Sequence, residues 1–156
     1  MLAASAALID ALATQASDRT ESPVIVSGIS LGGWAVNLHR ACFDTVDQYA
    51  PIFAGAALGE MFVSSVYRKM TAGAAQSRPD HLRNVLDFEE EFRAVDAANC
   101  APLLARYDRI IEYDRQLPAY AGMSLSVLDK GHITGSLATD RLREHVLSVL
   151  SARETE

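Results

Sequence analysis

The sequence lacks several features that would define a class of protein at once. It has two cysteines, Cys42 and Cys100, which are too few for a disulfide framework and lack the spacing of a metal site. We expect both to be buried. The formal net charge is −6, so no basic surface is expected to attract nucleic acid or an anionic membrane.

Long apolar segments are also missing. No run approaches the roughly 18 residues of a membrane span. The N-terminal apolar run has no basic region before it and is interrupted by Asp10, which argues against a signal peptide. These absences predict a reduced, soluble, cytoplasmic protein that does not associate with membranes.

What is present is an alternation of helical and strand-like patterns. Residues 2–16 have apolar side chains at three- and four-residue steps, as in an amphipathic helix, and residues 24–26 (Val-Ile-Val) are typical of a buried strand. Further strands are predicted at 47–55, weakened by Pro51, at 103–107 and at 123–128. Helices are predicted at 34–42, through most of 58–98 and at 137–150.

This order predicts one α/β domain over residues 1–156, with a parallel sheet of about four strands between flanking helices.

The sharpest motif is the segment 28–33, Gly-Ile-Ser-Leu-Gly-Gly, directly after a predicted strand and before a predicted helix. That context is typical of a nucleophile elbow, in which Ser30 occupies a strained turn and the backbone N–H of Leu31 faces a developing oxyanion. Gly28 and Gly32 are expected to let the strand and the helix pass closely. The alternatives are a plain connecting turn or a phosphate-binding turn, although no glycine-rich phosphate pattern is present.

A nucleophilic serine requires a base and an acid that orients the base. Among the histidines, His132 directly follows a predicted strand, where parallel sheets bind ligands. His39 lies within the helix after the elbow, His81 lies in the polar insertion, and His145 is expected on a solvated face of the last helix. His132 is therefore the predicted base, with a surface-turn histidine as the alternative.

The predicted acid is Asp108, which follows the strand predicted at 103–107. The alternative is a turn aspartate or an ion-pair partner of Arg106 or Arg109. Three further carboxylates compete for the role: Asp114, the second choice, Glu112 and Asp129.

Together, the elbow at 24–33, the segment Arg-Tyr-Asp108-Arg-Ile-Ile and the segment Lys-Gly-His132 resemble the α/β-hydrolase superfamily in the family's chain order. The resemblance implies Ser30 as nucleophile, Asp108 as acid and His132 as base. The family fold has about eight strands, and those before the elbow supply a second oxyanion N–H. The resemblance is therefore to the C-terminal half of the fold, which implies either a fragment or a naturally short protein.

These residues predict a serine hydrolase that acts on a carboxylic ester or related acyl substrate through an acyl-enzyme, without cofactor or metal. The alternatives are an acyltransferase with the same triad and a non-catalytic half-fold that serves as an assembly module.

Residues 58–98 are expected to form a lid-like helical insertion, in which the acidic run 87–91 is a solvated helix face. Its apolar residues fit either an acyl pocket or a helix core: Met61, Phe62, Val66, Tyr67 and Met70. Strand 24–26 is expected to leave an apolar sheet edge exposed, which predicts a homodimer through that edge.

Overall fold

The computed structural model describes the backbone of residues 1–153 and the side chains of residues 1–151. The strands of this part are β1 Ile25–Ile29, β2 Gln48–Ile52, β3 Leu103–Ala105 and β4 Ser126–Leu128. The α-helices are α1 Leu2–Ser17, α2 Leu31–Cys42, α3 Leu58–Ser64, α4 Gly73–Gln76, α5 Pro79–Leu86, α6 Glu89–Ala94, α7 Tyr113–Gln116, α8 His132–Ser136 and α9 Thr139–Arg153. Short 3₁₀ helices lie at Val66–Met70, Ala97–Asn99 and Leu117–Tyr120.

Within residues 1–153, the four strands form one parallel sheet in the order β1-β2-β3-β4. The predicted α/β class and parallel sheet are confirmed. Each strand therefore ends at the same edge of the sheet, which brings the segments that follow β1, β3 and β4 to one side of the molecule.

The pairing of β2 with β3 is interrupted at Pro51. Bridges link Tyr49 with Cys100 and Ile52 with Leu103, on either side of the proline. Proline has no N–H to give to the ladder, which explains the interruption. The strand forms nonetheless, because all five of its residues are buried between helices.

Adjacent residues of β3 enter different hydrophobic clusters, as the two-residue alternation of a strand requires. Leu104 packs with Val36 of α2 and with Tyr49, whereas Leu103 packs with Phe53 and with Leu142 of α9. The sheet is thus covered on one face by α2 and on the other by α9.

The segment predicted as an insertion, 58–98, is helical in short pieces and lies between β2 and β3. Its C-terminal end is held by the buried Arg40 of α2, whose Nη1 donates to the carbonyl of Phe92 (2.7 Å) and whose Nη2 donates to that of Asp96 (2.6 Å). The guanidinium also stacks over the Phe92 ring at 4.6 Å.

Three local predictions were wrong. The strand expected to reach Tyr107 ends at Ala105, and α8 was not predicted at all. Cys100 is buried as expected, but Cys42 is exposed because it is the last residue of α2, at a helix end that reaches solvent.

No helix within residues 1–153 combines the length and the apolar composition that a membrane crossing requires.

Candidate functional site

Ser30 occupies a strained turn between β1 and α2. Its backbone has φ 53° and ψ −114°, a left-handed φ that is costly for any residue with a side chain. The Ser30 N–H donates to the carbonyl of Ile52 at the end of β2 (2.8 Å), which fixes the turn against the neighbouring strand. Leu31 is the first residue of α2, so its N–H lies in the helix's first turn, where intrahelical acceptors are lacking.

The close approach of strand and helix depends on Gly28 and Gly33. A Cβ at Gly28 would lie 2.5 Å from the carbonyl carbon of Gly32, and one at Gly33 would lie 2.9 Å from the carbonyl oxygen of Ile52. A Cβ at Gly32 would meet nothing within 4 Å. The close approach therefore requires glycine at position 28, as expected, but not at position 32. The backbone of Gly32 faces the strand, whereas a side chain at that position would point into open space.

The structure brings Ser30, His132 and Asp108 into one line. His132 Nε2 lies 2.9 Å from Ser30 Oγ, and His132 Nδ1 lies 2.6 Å from Asp108 Oδ2. The side chains of His132 and Asp108 are 10% and 1% exposed. If Nδ1 carries the proton, it donates to the carboxylate and leaves Nε2 free to accept the serine proton.

Asp108 is held by the backbone that follows it. Its Oδ1 accepts hydrogen bonds from the N–H groups of Ile110 (2.7 Å) and Ile111 (2.8 Å). The other oxygen is therefore the one directed at His132. The two N–H groups thus fix the orientation of the carboxylate relative to the imidazole.

The connections after β3 and β4 are joined to each other. Arg106 Nε donates to Asp129 Oδ1 (2.8 Å), and the N–H of Tyr107 donates to the carbonyl of Lys130 (2.9 Å). Asp129 is thus a partner of Arg106 rather than of the histidine. These contacts hold the loops of Asp108 and His132 together.

The other competing carboxylates lie elsewhere. Glu112 accepts a hydrogen bond from Ser64 Oγ (2.5 Å) at the end of α3. Asp114 lines a charged groove together with Glu60, Arg93 and Arg115. Of the carboxylates proposed from the sequence, Asp108 is the one that contacts His132.

The remaining histidines have other environments. His39 is buried with Nδ1 3.1 Å from the Tyr49 hydroxyl and Nε2 3.3 Å from that of Thr45, and burial lowers the pKa of His39. His145 was wrongly expected on a solvated face. It is buried with Nε2 3.0 Å from the carbonyl of Ala101, and burial lowers its pKa. His81 is exposed.

Large apolar side chains lie exposed in sequence positions next to the three aligned residues. Ile29 and Leu31 flank Ser30, Ile133 follows His132, and Tyr107 precedes Asp108; all four are at least 42% exposed. Exposed apolar surface of this kind often marks a binding site. No group of three or more potential metal ligands occurs among the residues described.

The apolar residues considered for an acyl pocket differ in their surroundings. Phe62 and Tyr67 contact each other edge to face, with ring centroids 6.2 Å apart. Met61 packs against the cluster of Trp34 and Ile111, which favours a core role. Val66 and Met70 are exposed.

Known structures share the fold of this chain. An acylaminoacyl peptidase from Pyrococcus horikoshii superposes with a TM-score of 0.64 at 13% identity, over 83% of this chain and 23% of that one. An alpha/beta hydrolase from the metagenome of lagoon sediments at Mar Chica, Morocco, has a TM-score of 0.63 at 11% identity, over 96% and 71%. A meta-cleavage product hydrolase from Pseudomonas fluorescens has a TM-score of 0.56 at 16% identity, over 96% and 69%.

The chain has part of the α/β-hydrolase fold. It spans between about a quarter and about seven-tenths of the length of these three hydrolases. No protein-family model matches the sequence, and no curated protein matches it. The resemblance to the α/β-hydrolase fold is therefore one of structure.

Proposed function

We propose that this α/β-hydrolase domain is a serine hydrolase that cleaves a carboxylic ester or related acyl substrate through an acyl-enzyme. The observation that supports the proposal is the position of His132, between Ser30 Oγ at 2.9 Å and Asp108 Oδ2 at 2.6 Å. A nucleophile, a base and an orienting acid in hydrogen-bond contact are what acyl transfer to a serine requires.

In the first half-reaction, Ser30 Oγ attacks the acyl carbonyl carbon while His132 Nε2 takes the serine proton. The resulting imidazolium is stabilised by Asp108. The oxyanion faces the N–H of Leu31 and the N-terminus of α2, a helix of 12 residues. The bond to the leaving alcohol breaks as His132 donates the proton to its oxygen, and the acyl group remains on Ser30.

The second half-reaction repeats these steps with water. His132 takes a proton from water, the hydroxyl oxygen attacks the acyl carbon, and the bond to Ser30 Oγ breaks. The proton on His132 returns to Ser30, and a carboxylic acid leaves. An alcohol in place of water would give acyl transfer to that acceptor.

A second candidate function, a non-catalytic assembly module, is favoured by the outer edge of β1. Within residues 1–153, β1 pairs with β2 on one side and with no strand on the other. Its residues Ile25 and Val26 are partly exposed, and Ile29 is 42% exposed. Such an edge recruits another strand.

The test is mass spectrometry of the intact protein after brief exposure to p-nitrophenyl acetate, followed by peptide mapping. The serine-hydrolase proposal predicts one acetyl group on Ser30. The matched control is Ser27→Ala. It removes a serine hydroxyl from β1, the strand that precedes Ser30, where that hydroxyl donates to the carbonyl of Ala50 (2.8 Å). Acetylation that persists in Ser30→Ala, or none in the wild type, would favour the assembly module.

A further inference from the structure

Phe53 adopts an unusual conformation at the end of β2. Its φ is 48°, a left-handed value that is a genuine outlier for a bulky residue, and its side chain is fully buried. A strained backbone of this kind persists only where the surrounding structure enforces it, and such residues cluster at functional sites.

The backbone around Phe53 is fixed on both sides. The carbonyl of Ile52 accepts the N–H of Ser30 (2.8 Å), and the N–H of Phe53 donates to the carbonyl of Leu103 on β3 (2.8 Å). Ile52 and Phe53 therefore hold the turn at Ser30 and link it to β3, the strand that leads to Asp108.

The Phe53 ring lies beside the imidazole of His132. The two ring centroids are 6.0 Å apart with an interplanar angle of 55°, which is a tilted aromatic contact. A left-handed φ at residue 53 turns the chain out of β2, and the ring contacts α8, whose first residue is His132.

Gly135 makes room for this ring. A Cβ at Gly135 would lie 2.7 Å from Phe53 Cζ and 2.9 Å from Cε2, closer than real side chains approach. Helix α8 can rest on the ring only with glycine at that position. The ring of Phe53 and the backbone of Gly135 thus form one contact beneath the helix that carries His132.

We propose that Phe53 is a positioning residue that holds the His132 imidazole in line with Ser30, and that Gly135 is its packing partner. The proposal rests on the proposed function for its kinetic consequence, but the position of the ring can be measured without catalysis. Hydrogen bonds to Asp108 and Ser30 fix two atoms of the imidazole, and the phenyl face limits the tilt of its plane.

The decisive variants are Phe53→Leu and Gly135→Ala. The first removes the ring and keeps an apolar side chain; the second keeps every core side chain and displaces the ring. The matched control is Phe92→Leu, the same change at an equally buried phenylalanine. Phe92 packs on Tyr120 and Arg40, and it belongs to a different hydrophobic cluster from Phe53.

Two readouts separate positioning from stability. In NMR spectra, the His132 Nδ1–H signal should shift or broaden in Phe53→Leu and Gly135→Ala and should be unchanged in Phe92→Leu. In ester hydrolysis, kcat should fall roughly ten- to hundredfold in the first two variants with KM nearly unchanged, since a small misplacement of a catalytic group has effects of this size.

A wild-type His132 signal in Gly135→Ala, or in a folded Phe53→Leu variant, would overturn the proposal. If Phe53→Leu does not fold, Gly135→Ala decides by the same signal. If the wild type shows no ester hydrolysis, the proposed function fails, whereas the NMR comparison still tests the positioning role.

Discussion

The two ends of the sheet support the site in different ways. At the β3–β4 end, Asp108 and His132 lie on loops joined by an ion pair and by backbone hydrogen bonds, and the carboxylate is bonded by two N–H groups. At the β1 end, Ser30 follows a strand that pairs on one side within the described residues. Contacts within the chain thus orient Asp108 and His132, whereas the surroundings of Ser30 are open on one side within the described residues.

The largest effect is expected at the well-supported end. Asp108→Asn should lower kcat/KM for ester hydrolysis by about 10⁴, because an amide favours the wrong imidazole tautomer. The control is Asp129→Asn, which breaks the exposed, solvent-screened ion pair with Arg106 but leaves the carboxylate at His132 and the backbone hydrogen bond between Tyr107 and Lys130 intact. A greater loss from Asp114→Asn than from Asp108→Asn would transfer the acid role to Asp114.

The open end predicts weak turnover. Leu31 is the oxyanion donor proposed within this chain, and a missing donor costs about 10²–10³ in rate. Ester hydrolysis by residues 1–156 should therefore be slower by about this factor than that of an α/β-hydrolase with two oxyanion donors, although Ser30 is acylated. Steady-state kinetics on a p-nitrophenyl ester measure this difference in rate. A rate equal to that of an intact enzyme, and lost in Ser30→Ala, would require another donor.

The same edge leads us to propose a homodimer in which the β1 strands of two copies pair. The partner strand comes from a second copy of the chain. The β1 edges of two copies can pair about a two-fold axis, which gives a closed dimer and no fibre. The Ser30 N–H and the Val24 carbonyl are bonded on the β2 side, so the alternate residue Ser27 directs its N–H outward.

Light scattering at low micromolar concentration tests this homodimer. Ser27→Pro removes the outward N–H and should give monomers, whereas Ser27→Ala loses the same hydroxyl and should remain dimeric. A monomeric wild type, or a Ser27→Pro variant that stays dimeric, would refute pairing through this edge.

The smallest effect concerns two histidines away from the site. Burial lowers the pKa of His39 and His145 below the ordinary 6.5, so folding disfavours the protonated form of both rings. Below pH 6.5 the unfolded chain binds more protons than the folded chain does. The free energy of unfolding should therefore have its full value above pH 6.5 and fall as the pH decreases through that value. Urea midpoints at about pH 7.5 and about pH 5.5 measure this dependence.

The variant His39→Gln should weaken the pH dependence, because the buried ring that resists protonation is gone. The control is His81→Gln, which makes the same change at an imidazole that folding leaves exposed. An equal response of both variants would show that the loss of stability has another origin.

The sequence predicted the parallel sheet because strand and helix patterns alternate locally. It also predicted that Ser30, Asp108 and His132 would leave strands at one edge, where the structure places all three side chains in contact. Their catalytic roles remain predictions. Other features depend on which distant elements meet. They are the steric need for Gly33 instead of Gly32, the burial of His145 and the left-handed φ of Phe53. No local pattern carries that information.

The most direct test of the central claim is labelling with a fluorophosphonate, which reacts only with an activated serine. We expect stoichiometric modification at Ser30 that is lost in Ser30→Ala and strongly slowed in His132→Gln, while Ser27→Ala labels like the wild type. Absence of labelling in the folded wild-type chain, or labelling that persists in His132→Gln at the wild-type rate, would contradict it.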